Sequence, residues 1–323
     1  MTTSVPDKPV VPTATPLVSV IIPTFNRPDM LREAVTSVLA QTEQNFEVIV
    51  VNDGSVDVGP LLTDLDPKGR IKYIDNKGNR GRSYSRNKGI RAAQGKYIAY
   101  LDDDDRYYPD HLKVLVNFLE SSNRAAAYTD ALCAVQEKQD AGYMVVRKEC
   151  RYSNDFSNQK ILWRNLLPLL CLVHARSCCD RAGYFDETLE THEDWDLFVR
   201  FSRYFDLHHI NRVTAEYSFR YDGSSTTSGN AMDFLRSQLL IYRKYKALSA
   251  GDRLVRHKQR KSIRDCKKRL MAQGFSKKEL NAVVREFSRG GKAAQRPGTS
   301  NSAAGQKNAG PAMDPDGSDR KSS

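Results

Sequence analysis

The sequence predicts an α/β domain built on a mostly parallel sheet flanked by helices, followed by a helical extension and a disordered tail. Short β-branched or aromatic runs alternate with helical patterns through the N-terminal third, and repeated strand–helix–strand units demand a parallel sheet with helices on its faces. The turns PTFNRP, NDGS and DDDD follow three of those strands. They therefore gather at one edge, outside the carboxyl ends of the strands, where such sheets bind their ligands.

The leader, residues 1–15, is Pro/Thr-rich and lacks a basic start followed by an apolar stretch, so it reads as flexible and not as a signal peptide. PLVSVIIP (16–23), NFEVIVV (45–51), RIKYI (70–74) and KYIAYL (96–101) have the composition and turn-bounded length of strands. In RPDMLREAVTSVLAQ, Pro28 suits a first helical turn, and Leu31, Ala34, Val35, Val38 and Leu39 recur at helical spacing. GRSYSRNKGIRAAQ has a thinner apolar face but the length of a helix. YPDHLKVLVNFLE (108–120) is amphipathic and helical, AAAYTD and GYMVVRKEC are strands, and EDWDLFVRFSRYF (193–205) is helical again. DLHHI and TAEYSFRY are two further strands, while residues 158–175 are apolar without a readable period.

DGSSTTSGN (222–230) is too polar and Gly-rich to pack and reads as a loop. These signals place the α/β domain at 16–230, in halves of about 16–105 and 106–230. A basic helical extension follows at 231–289, and the tail from 290 to 323 has almost nothing to bury and should be disordered.

The net charge of +11 belongs to the extension: residues 251–296 hold 15 Lys/Arg against 4 Asp/Glu. No recognition motif or aromatic interleaving accompanies these residues, so no nucleic-acid partner is expected. A solvated helical face, or peripheral contact with an anionic membrane surface, accounts for them better. The most apolar window, LLPLLCLV (166–173), is too short to span a bilayer. The six cysteines form no C-x-x-C pair and have no His at metal-site spacing, so they read as reduced, mostly buried thiols of a cytoplasmic protein.

Asp102 to Asp105 follow the fourth strand directly. Two unit charges about 4 Å apart repel by about 4 kcal/mol at an effective dielectric near 20. A hard cation offsets that cost: Mg²⁺ is usually held by one or two carboxylates plus substrate phosphates, which makes a nucleoside diphosphate a natural partner. The plainer alternative is a solvated turn in which one of these residues or Asp110 caps the next helix. Asp53 in NDGS stands at the same edge, beside Gly54, which permits close backbone approach.

A second constellation lies in FDETLETHEDWDLFVRF, where Glu193 and Asp194 open a helix whose Trp195, Leu197, Phe198 and Phe201 can pack inward. A carboxylate fixed at a rigid helix start suits a general base. THED is equally an S/T-x-x-D/E pattern, so Thr191 and Asp194 can instead form a capping box. Arg80, Arg82 and Arg86 open another predicted helix, where both the helix end and the guanidiniums favour phosphate, although charged helix faces are often simply solvated. His208 and His209, adjacent in a strand, point to opposite faces.

VSVIIPTFNRPDMLREAVTSVLAQT, FEVIVVNDGSVD, NKGNRGRSYSRNKGIRAAQGKYIAYLDDDD and GYFDETLETHEDWDLFVRF together resemble the family 2 glycosyltransferases of the Rossmann-like GT-A fold, in order over residues 16–221. The chain departs from the family's usual pattern at Ser85, where Ala is common. The resemblance implies transfer of a sugar from a nucleotide-diphosphate donor, UDP- or dTDP-linked by preference, to an acceptor hydroxyl with inversion, assisted by Mn²⁺ or Mg²⁺. It implies that Thr24, Phe25, Asn26 and Arg27 line the nucleotide pocket and that Asp53 contacts the base. Asp102 and Asp103 become candidates for ribose or diphosphate contacts, Asp104 for the metal, and Arg86 for the departing diphosphate. Asp194 takes the position of the catalytic base with Glu193 beside it. The 222–230 loop becomes a candidate donor-ordered lid.

The acceptor expected from the resemblance is a saccharide or lipid-linked saccharide, in bacterial-type cell-surface polysaccharide or glycolipid synthesis at the inner face of the cytoplasmic membrane. Two rivals stand beside this reading. A sugar-phosphate nucleotidyltransferase would want a Gly-rich phosphate loop after the first strand, and PTFNRP has no Gly; a basic nucleic-acid-binding protein has only the charge of the extension in its favour.

Overall fold

The structure, a computed structural model, describes residues 15–66, 68–140, 142–220, 222 and 231–288. Nearly all of the expected leader, the expected tail and the 222–230 loop lie outside the described residues.

The first half forms β1 (Val18–Thr24), α1 (Pro28–Leu39), β2 (Phe46–Asn52), α2 (Gly59–Leu65), β3 (Ile71–Asp75), α3 (Arg82–Ala92) and β4 (Tyr97–Tyr100). Its strands pair in the order β3-β2-β1-β4, all parallel. Val20, opposite Val48 on one side and Ala99 on the other, marks the register. β1 and β2 are buried on both faces, which explains their unbroken β-branched runs. Pro28 occupies the first turn of α1, where its missing N–H has no partner to lose, and Leu31, Ala34, Val35 and Val38 bury that helix against the sheet.

The second half comprises β5 (Arg106–Tyr107), α4 (His111–Ser121), β6 (Ala126–Gln139), β7 (Gly142–Tyr152), β8 (Leu172–Ala175), α5 (Cys178–Ala182), α6 (Glu193–Phe201) and β9 (Leu207–Arg220). β8 runs antiparallel to both β4 and β6, so it joins the two halves into one nine-stranded sheet ordered β3-β2-β1-β4-β8-β6-β9-β5, with β7 on β6. The segments DLHHI and TAEYSFRY are one strand, β9. The polar Asn211 and Arg212 between them fall where the β6–β9 register shifts, a bulge that sequence patterning reads as a break. Residues 158–175 fold into two 3₁₀ turns, Lys160–Leu162 and Leu169–Cys171, and β8. His208 stacks on Phe118 and His209 on Tyr128, on opposite faces as expected.

The extension forms α7 (Ala231–Lys244), α8 (Lys246–Ser249), α9 (Arg253–Ala272) and α10 (Lys277–Ser288). Asp252 caps α9 by accepting from the Val255 N–H at 3.0 Å. Leu235, Leu239, Cys266, Leu270 and Leu280 make a small core among these helices. The group also docks on the α/β domain. Tyr242 donates to the Trp163 carbonyl at 2.7 Å and meets the Trp195 ring edge-on, and Gln259 donates to the Leu162 carbonyl at 2.8 Å. The extension is thus part of the fold, and its basic residues occupy the faces left over. Cys133, Cys171, Cys178, Cys179 and Cys266 are buried, Cys150 is exposed, and all six are free thiols.

Candidate active site

The carboxyl ends of β1, β2 and β4 and the start of α3 enclose a cavity of about 390 Å³. Thr24, Phe25, Arg27, Asp53, Arg80, Arg82 and Asp102 to Asp104 line it. Asn26 does not: its side-chain oxygen turns away to accept from the Ser55 and Val56 N–H groups at 2.8 and 3.1 Å, tying the β1 turn to the β2 turn. Gly54 is needed there because a Cβ would stand 2.8 Å from the Asn26 backbone nitrogen.

Asp53 is buried, and its carboxylate accepts from Asn76 and from the Arg80 and Gly81 N–H groups at 2.7–2.8 Å. It shapes the loop that presents Arg80 and Arg82. Gly81 precedes α3 at φ +88°, a conformation that favours glycine.

The four consecutive aspartates have four environments. Asp102 pairs with Arg86 at 2.5 Å; burial works against its charge, but Arg86 and then Arg82 hold its carboxyl below the ordinary range. Asp103 accepts from the Thr24 hydroxyl at 2.8 Å, and burial with Asp104 beside it pushes its carboxyl up to about 6. Asp104 meets Arg27 and Arg220 at 3.2 and 2.8 Å, both through Oδ2. Asp105 turns to β9, accepting from the Ser218 N–H at 2.9 Å, and burial followed by Asp104 pushes its carboxyl well up. The helix-capping alternative is not realised: Asp110 precedes α4 without a side-chain cap and pairs with Arg212.

A second cavity, of about 280 Å³, shares Arg82, Asp102 and Asp104 with the first and contains Glu193 and Asp194. Arg86, 2% exposed, spans the two groups of carboxylates: one end of its guanidinium meets Asp102 and the other meets Glu193 at 2.7 Å. Burial opposes the Glu193 charge, but Arg82 and Arg86 hold its carboxyl below the ordinary range. Asp194 beside it behaves oppositely. Burial and the Glu193 charge push it up to about 6, against the Trp195 N–H, Arg86 and the Asn165 amide that donates to it at 2.8 Å. The capping box is absent: His192 is the residue before α6, no side chain caps the helix, and Thr191 donates to the Asp233 carbonyl instead.

Among the described residues, no group of three or more His, Cys, Asp or Glu side chains could hold a metal ion. The donor set still fits Mg²⁺ or Mn²⁺ bound mainly through substrate. Asp102 and Asp104 offer oxygen ligands where the cavities meet, and the Arg27 and Arg220 contacts of Asp104 both go to its Oδ2. Arg220 and Asn165 are site residues that sequence reasoning misses. Arg220 reads as the polar end of a strand, and Asn165 lies in the stretch without a readable period.

The family model for glycosyl transferase family 2 matches residues 19–168. An uncharacterized glycosyltransferase of Rickettsia prowazekii is 31% identical over 225 residues, covering 68% of this chain and 69% of the relative. Another, of Rickettsia bellii, is 36% identical over 203 residues, 59% of this chain but only 29% of the relative's length. Among solved structures, S. aureus TarS 1-349 in complex with UDP-GlcNAc gives a TM-score of 0.56 at 18% identity, covering 84% of this chain and 71% of that one. The mannosyltransferase PcManGT from Pyrobaculum calidifontis, in complex with GDP-Man and Mn²⁺, gives 0.55 at 15% identity, covering 86% and 81%. These neighbours share the GT-A fold, and the chain belongs to glycosyl transferase family 2.

Proposed function

We propose that this protein is an inverting glycosyltransferase that moves a sugar from a nucleoside-diphosphate donor, UDP- or dTDP-linked by preference, to a hydroxyl of a saccharide or lipid-linked saccharide. The observation that carries the reading is the pair of cavities meeting at Arg82, Asp102 and Asp104, with Asp194 in the second. The donor occupies the first cavity, where Arg82 and the start of α3 favour phosphate. Complexes of the neighbours with UDP-GlcNAc and GDP-Man support that donor class.

The acceptor hydroxyl lies in the second cavity and gives its proton to Asp194. Its oxygen attacks the anomeric carbon from the side opposite the diphosphate, the bond to the diphosphate breaks, and the configuration inverts. Asp104, with Asp102 near it, would hold Mg²⁺ or Mn²⁺ together with diphosphate oxygens; when bound, the ion supplies positive charge to the leaving group. Glu193 stays ionised beside the base and raises its basicity. Asp53, Asp103 and Asn26 act one step back, by holding the loops that form the donor cavity.

The exposed Lys258, Arg260, Lys261 and Arg264 on α9 support contact with an anionic membrane surface. Their fourfold replacement by Glu should abolish co-sedimentation with anionic vesicles; equal binding of the native protein to neutral vesicles would argue against that contact.

With UDP-sugars and Mn²⁺ in a thermal-shift assay, Asp104→Asn should lose the metal-dependent part of the stabilisation by donor. Asp194→Asn should keep it while transfer falls by about 10²–10⁴-fold. Full transfer by either variant contradicts the assignment.

A base must be ionised to accept a proton, so an Asp194 carboxyl raised to about 6 makes kcat/KM fall as pH drops through that value. An unperturbed aspartate would hold activity down to about 4. Asn165→Ala removes a donor that favours the charged form, so the acidic limb should move to higher pH; an unmoved or lowered limb rejects this role for Asn165.

A further inference from the structure

The C-terminal extension completes the wall of the second cavity. Gln238 of α7 and Ser262 and Arg269 of α9 line it, together with Arg164 from the segment after the first 3₁₀ turn. Of the five carboxylates in the same cavity, Asp102 and Glu193 share Arg86, Asp104 meets Arg27 and Arg220, Asp105 accepts from the Ser218 N–H, and Asp194 accepts from the Asn165 amide. Arg164 and Arg269 bring two further guanidiniums to the wall of the same cavity.

The Arg269 side chain contacts the Cys266 thiol, and its buried Nε meets no hydrogen-bond acceptor among the described residues. A buried donor without an acceptor is costly, and an oxyanion that drew the guanidinium toward the cavity would offset that cost. The planar guanidinium fork matches the oxygens of a phosphate, and Ser262, whose hydroxyl accepts from the Gln238 amide at 2.7 Å, brings an O–H to the same wall.

We propose that the wall of this cavity formed by the extension binds a phosphate group carried by the acceptor, gripped by Arg269 with Arg164, while the acceptor hydroxyl lies at Asp194. The proposal rests on the reading of Asp194 as the base. It gives the extension a part in substrate choice as well as in folding.

The test is calorimetric titration of the full chain saturated with UDP and Mn²⁺, so that the donor cavity is filled. Glycerol phosphate and decyl phosphate are the probes, with glycerol and decyl glucoside as neutral counterparts. Both phosphates should bind at least about tenfold more tightly than their counterparts, and Arg269→Gln and Arg164→Gln should each weaken them by about tenfold with UDP affinity unchanged. Preference for decyl phosphate supports a lipid carrier as the source; equal binding supports a soluble phosphorylated acceptor. In the native protein, either phosphate should also slow phenylglyoxal modification of Arg269, read by peptide mass, which keeps the test independent of how the variants fold. Unchanged phosphate affinity in the variants, neutral probes binding as tightly, or unprotected Arg269 overturns the proposal. Phosphate binding by a protein that fails to bind UDP would overturn the transferase reading and keep the anion site; UDP binding without phosphate binding overturns only the anion site.

Discussion

Arg86 is the side chain on which both halves of the site depend. Its guanidinium, 2% exposed, joins Asp102 after β4 to Glu193 at the start of α6, residues far apart in sequence. Taking such a cation out of water costs several kcal/mol, and removing one partner of a buried pair leaves an uncompensated charge. Here two carboxylates share the compensation, and the geometry that satisfies the cation also sets the distance between the carboxyl end of β4 and α6. A consequence falls on the next residue. Glu193 is held ionised, so Asp194 carries its charge beside a permanent anion and takes up protons more readily than an ordinary aspartate.

Much of this is legible in the sequence. The four strands of the first half have periods and turn boundaries that allow little else, and Pro28 and the 193–201 run mark their helices without long-range information. The acidic edge follows from topology, because residues after parallel strands must meet at one end. What the sequence does not separate is the role of each aspartate. Four identical residues in a row differ only in what folds against them: Thr24 for Asp103, Arg220 for Asp104 and Ser218 for Asp105. Those partners come from β1 and β9, and no local pattern announces them. Asn26 shows the same limit, since its place in the turn is readable but the direction of its side chain is not.

The extension is easily misjudged for a related reason. Its charge density suggests a solvated appendage, yet one apolar stripe along α7, α9 and α10 suffices to bury it, and Tyr242 and Gln259 anchor it beside the second cavity. A site divided into two cavities suits a reaction between two substrates. Strand ends, with their backbone donors and acids, form one; helix starts and the extension form the other. On the proposed reading, variation in the extension would alter the acceptor without disturbing the donor side.

Arg86 makes Glu193 a stabilising charge and leaves its neighbour Asp194 as a costly one. Linkage fixes the signs: a carboxyl whose folded pKa is lowered adds stability above its unfolded value, and one whose folded pKa is raised loses stability once both states are ionised. Comparison of thermal unfolding midpoints for Glu193→Gln and Asp194→Asn near neutral pH tests this directly. Glu193→Gln should unfold below the native protein and Asp194→Asn at or above it; the opposite order would contradict the account.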